Sequence, residues 1–96
     1  MKRLREIKKI LEEHRDKLRR EYKIKSIKVF GSYVEGKETK KSDIDLIVDF
    51  ESTPTLIELV RIEEELSQLL QIKVDLLTEE GISPYVKPYI KEFSLL

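Results

Sequence analysis

The sequence predicts an α/β fold (α+β in strict usage), a small mixed β-sheet with helices packed mainly on one face. Three observations lead there. Short β-branched or alternating apolar runs at 27–30, 43–50 and 72–77 read as strands. Segments 2–21 and 55–70 carry apolar residues at the three-and-four spacing of amphipathic helices. A helical segment also follows each of the first two strands, the order that βα units require.

The first helix spans residues 2–21, with Leu4, Ile7, Leu11, His14 and Leu18 on one face. A lone histidine on such a stripe reads as a packed or boundary side chain, so His14 is left out of any site. Lys23–Ser26 is a connector, and Ile27–Phe30 forms the first strand. Gly31-Ser32 follows directly: glycine permits a sharp turn, and serine can cap the short helix 32–36 that ends on Gly36. Lys37 to Ser42 form a polar loop.

In the second strand, 43–50, side chains alternate between faces. Ile44, Leu46 and Val48 cover a core, while Asp43 and Asp45 share the other face, with about 6–7 Å between successive same-face positions. Glu51 to Pro54 break the strand. Thr55 with Glu58 then reads as a capping box for a helix to Leu70, on which Glu63-Glu64-Glu65 face solvent. In the third strand Asp75 falls opposite Ile72, Val74 and Leu76. An acid among apolar residues needs a cation, either a metal or a salt-bridge partner, because burying an unpaired carboxylate is costly. Ser83-Pro84 then starts a last helix, 84–92, in which Tyr85, Tyr89 and Phe93 repeat every four residues as a core stripe; a partner-docking surface is the alternative.

Composition narrows the function. Ninety-six residues make one domain, 1–96. The absence of cysteine excludes disulfides and thiolate metal sites. No apolar run is long enough to cross a membrane and no signal-peptide core is present, so a cytoplasmic location is expected. The net charge of zero hides a division: residues 1–41 carry 15 Lys/Arg against 7 Asp/Glu, and residues 42–96 carry 4 against 12. A neutral total excludes general nucleic-acid binding by charge, while the basic half suits a triphosphate or an acidic partner and the acidic half a metal.

Gly31-Ser32 facing Asp43-Ile44-Asp45 joins an anion cradle to a carboxylate pair, which is what metal-assisted chemistry on a nucleoside triphosphate requires. With ten residues between Ser32 and Asp43, and Leu46 completing the run, this pattern resembles the polymerase-β-like nucleotidyltransferases. The chain looks most like the minimal nucleotidyltransferases (MNT), which often pair with HEPN-domain proteins as toxin–antitoxin modules. That resemblance covers roughly residues 27–77. It implies a third carboxylate on a later strand, here Asp75, and so the catalytic and metal-binding set Asp43, Asp45 and Asp75 with Mg2+. Gly31 and Ser32 would bind the phosphates. Many relatives carry arginine between the serine and the second glycine, where this chain has Tyr33-Val34-Glu35, which makes Lys37 the substitute phosphate ligand. The implied reaction moves AMP from ATP, or another nucleoside triphosphate, to a hydroxyl, with a tyrosine of a HEPN-type toxin as acceptor. Two alternatives stay open: an antitoxin that acts by docking alone, and an aminoglycoside-type small-molecule nucleotidyltransferase. A homo-oligomer is a further open partner.

Overall fold

The alternation read in the second strand sets up the whole sheet. In the computed structural model, which describes residues 3–35 and 43–96, with Ser32 and Glu35 described by backbone alone, four strands align. They are β1 (Ile24–Phe30), β2 (Ile44–Phe50), β3 (Val74–Thr78) and β4 (Glu92–Ser94), in the order β3-β2-β1-β4. β2 pairs parallel with β3, while β1 pairs antiparallel with both β2 and β4, so the sheet is mixed.

One face of this sheet is packed and the other carries the acids. Ile44, Leu46, Val48 and Phe50 of β2 enter a single core with Ile27 and Val29 of β1 and with Val74 and Leu76 of β3. Ile7 and Leu11 of α1 (Leu4–Glu13), Leu18 of α2 (Arg15–Tyr22), and Ile62, Leu66 and Leu70 of α4 (Leu56–Leu70) cover them. Between β1 and β2, α3 (Ser32–Glu35) adds Tyr33 to the same core. Helices therefore lie mainly on one face, as the pattern predicts. The capping box also forms as read: Glu58 N–H donates to Thr55 Oγ1 and Thr55 N–H to Glu58 Oε1, both at 3.2 Å.

Several expectations are corrected. The segment 2–21 is two helices, broken at His14, whose φ and ψ are −106° and 12°. The imidazole supplies the cause. In an unbroken helix Ile10 C=O would accept from His14 N–H; here it faces His14 Nδ1 at 2.9 Å, and His14 N–H turns to Leu11 C=O. The first strand begins at Ile24 rather than Ile27, because an irregularity between Ile24 and Ser26 resets the alternation and lets Ile24 and Ile27 both reach the core. The third strand starts two residues later than read, since Gln71 adopts a left-handed cap at φ 56° beyond α4.

No helix forms over 84–92. Residues 79–91 instead link one sheet edge to the other, with single 3₁₀ turns at Glu79–Gly81 and Lys87–Tyr89, and Glu92–Ser94 joins β1 as an edge strand. An ion pair between Lys87 and Glu79 ties this crossing together, and that hydrogen bond is the main reason the Glu79 carboxyl sits below its ordinary range. Tyr85 and Tyr89 are not core: they are 86% and 85% exposed. Phe93 is partly exposed, with Lys8 of α1 over its ring at 5.9 Å. The residue that does plug the core at this end is Leu95, anchored by its N–H to Ile27 C=O at 2.8 Å.

Candidate active site

β2 ends the packed face and begins the acidic one. Asp45 stands at the centre of the sheet, in register with Phe30 of β1 on its antiparallel side and with Asp75 of β3 on its parallel side. Its neighbours on its own strand, Ile44 and Leu46, are fully buried on the opposite face. Phe30 leads straight into Gly31, so the same register that sets Asp75 beside Asp45 also brings the glycine turn to it.

Gly31 is required twice over. Its φ is +76°, the left-handed region that glycine adopts without a steric penalty. A Cβ built there would lie 2.5 Å from Asp45 Oδ2. The carboxylate therefore occupies the space that any other residue's side chain would claim. Beyond it, Val34 N–H donates to Gly31 C=O at 3.1 Å as the chain enters α3, with the Ser32 backbone at its first position.

Electrostatics join the three acids. Burial raises the Asp45 carboxyl above its ordinary pKa, and the charges of Asp75 and then Asp43 raise it further. Asp43 sits just ahead of β2 and is not in the strand itself. Its Oδ2 lies 3.8 Å from Lys73 Nζ, and Ile44 N–H donates to Lys73 C=O at 2.9 Å. Asp75 differs from its expectation. It is exposed, so there is no burial cost to offset, and among the described residues no ion pair involves it. The salt bridge expected around this strand goes from Lys73 to Asp43 instead. Among the described residues, no three acids or histidines close on one point as a ready metal cage. Lys37 lies outside the described residues, as do Gly36 and the expected polar loop 37–42.

Two residues missed by the sequence reading sit behind Asp75. Glu63 is not solvent-facing: its Oε2 accepts Leu76 N–H at 2.9 Å. Ser67 Oγ accepts Val74 N–H at 3.0 Å. Their four-residue spacing was the available signal, since it places both on one side of α4.

Residues 11–95 match the family model described as a nucleotidyltransferase domain. MJ0126 of Methanocaldococcus jannaschii, provisionally named a protein adenylyltransferase, is 48% identical over 93 residues, covering 96% of this chain and 95% of the relative. Protein adenylyltransferase MntA of Thermococcus cleftensis is 40% identical over 90 residues, covering 93% of this chain and 91% of its own. Among solved structures, a toxin–antitoxin complex with AMP-PNP matches at TM-score 0.69 and 26% identity, over 97% of this chain and 72% of that one. The helix-backed mixed sheet, the glycine turn and the acids in register beside it are thus found in a chain that belongs to the nucleotidyltransferase-domain family.

Proposed function

We propose that the protein is an antitoxin that transfers AMP from ATP, with Mg2+, to a tyrosine hydroxyl of a HEPN-type toxin. The observation that carries this is the register of Asp45 with Asp75 directly against the Gly31 turn. Similarity to MntA and to a toxin–antitoxin complex with AMP-PNP supports the acceptor and nucleotide classes.

The donor set suits a hard divalent cation. Carboxylate oxygens are its preferred ligands; burial first, then the Asp75 and Asp43 charges, raise the Asp45 carboxyl, and a cation would relieve that repulsion. Asp43, Asp45 and Asp75 would hold it. When bound, Mg2+ neutralises triphosphate charge and polarises the phosphorus under attack. The chain's own residues do the rest. Gly31 and Ser32 bind the leaving phosphates, and Lys37 adds positive charge. Asp75, exposed to an incoming acceptor, orients its hydroxyl and takes its proton. The acceptor oxygen forms a bond to the α-phosphorus, the bond to the β-phosphate's bridging oxygen breaks, and pyrophosphate leaves.

Asp43→Asn or Asp45→Asn should cut transfer by at least about a hundredfold, the scale of losing a charge-stabilising group, while leaving the fold intact. Incubation with a HEPN-type partner and Mg-ATP should add the mass of AMP to the partner by intact-protein mass spectrometry, and Asp45→Asn should bind the partner without changing its mass. If Asp45→Asn protects cells from the toxin as well as wild type, docking alone is the function. Transfer to an aminoglycoside-type alcohol with no partner present would support the small-molecule reading instead.

A further inference from the structure

The sheet edge beside Asp75 is closed by helix side chains. β3 pairs with β2 on one side only, and its outer edge carries the N–H groups of Val74 and Leu76, the two residues flanking Asp75. Both are taken by α4: Ser67 Oγ accepts from Val74 at 3.0 Å and Glu63 Oε2 from Leu76 at 2.9 Å. Ser67's own hydroxyl hydrogen goes to Glu63 C=O at 2.8 Å, which fixes its oxygen toward Val74. The two spacings match. Four helical residues rise about 6 Å and two strand residues about 6.6 Å, so an i,i+4 pair on a helix can clamp an i,i+2 pair on a strand. The Glu63 bond is charge-assisted and so the stronger of the two.

We propose that Glu63 and Ser67 are positioning residues for Asp75. They pin the backbone on either side of it, so that its carboxylate stays in register with Asp45 when a divalent cation binds. This rests on Asp75 being a metal carboxylate, as proposed above. The rival reading is that the clamp only shields a strand edge from mispairing, which would affect stability and not metal affinity.

Mn2+ is a suitable probe, its free concentration followed by electron paramagnetic resonance during titration of the intact chain. Amide hydrogen exchange at Val74 and Leu76 reports the clamp independently. Glu63→Ala should weaken Mn2+ binding on the order of tenfold and expose Leu76 N–H to exchange. Glu63→Gln, whose amide oxygen still accepts, should restore most of both. Ser67→Ala should act likewise through Val74, and with Glu63→Gln it carries the comparison if Glu63→Ala fails to fold. If Glu63→Ala exchanges faster at Leu76 yet binds Mn2+ as wild type does, the clamp is edge cover only. A Gln variant as weak as Ala would make the charge, not the hydrogen bond, the cause, and overturn the proposal. Should wild type itself bind no Mn2+ while the exchange pattern holds, the carboxylate site fails and the proposal falls with it.

Discussion

Asp45 has the most constrained surroundings of the three acids. The Gly31 turn after β1 leaves its carboxylate the space a side chain would fill, and the charges of Asp75 and Asp43 bear on it. Burial and that repulsion both favour the protonated form, so the folded protein holds this proton more tightly than the unfolded chain. Stability from this group is therefore complete below the ordinary aspartate pKa of about 4 and is lost as pH rises through the raised folded value. At neutral pH, without metal, the ionised group is a net cost. Asp45→Asn should then melt above wild type at pH 7 in chelator, and the gap should close as pH falls below about 4. Calorimetry across that range checks it. A variant that melts at or below wild type at neutral pH would mean that the carboxylate makes a stabilising contact in the folded state.

At the scale of elements, what was legible depended on whether the signal was local. Thr55 and Glu58 announce the start of α4 because both halves of a capping box lie within four residues. β2 was legible because every second residue from Ile44 to Phe50 enters the core. The Gly31 turn was legible for a similar reason, being fixed by its immediate neighbours, whereas Asp43, read as the first residue of the strand, lies just ahead of β2. The break at His14 was not, since it depends on which acceptor an imidazole takes. β4 was not legible either. Three exposed residues, Glu92–Ser94, carry no alternation, and only pairing with β1 makes them a strand. The aromatic spacing of Tyr85, Tyr89 and Phe93 mimicked a helix face, yet the crossing from β3 to β4 leaves both tyrosines in solvent. The two readings differ sharply in energy. A buried aromatic cut to alanine costs about 3–5 kcal/mol, whereas an exposed one stays within about 0.5 kcal/mol. Tyr89→Ala should therefore leave the urea midpoint and slope of the isolated protein nearly unchanged. A loss of several kcal/mol would return this stripe to the core.

Over the whole molecule, charge is segregated along the chain. Lys and Arg dominate residues 1–41, while Asp45 and the two acids whose charges bear on it, Asp75 and Asp43, all come from the second half. The repulsion those charges exert on Asp45 acts against the fold as long as no cation is bound. A ligand that binds only the folded state stabilises it by mass action, about 2.7 kcal/mol at a hundred times Kd. For a domain of this size that shifts Tm on the order of ten degrees. Mg-ATP should thus raise the Tm of wild type in a concentration-dependent way, and neither Mg2+ nor ATP alone should match it. Asp75→Ala separates the two effects. It should raise the Tm of the metal-free protein slightly by removing one repelling charge, and should lose much of the Mg-ATP gain. Calorimetric scans of both proteins at matched Mg-ATP concentrations decide the matter: if Asp75→Ala gains as much as wild type, Asp75 is no ligand, and the cation is held by Asp43 and Asp45 without it.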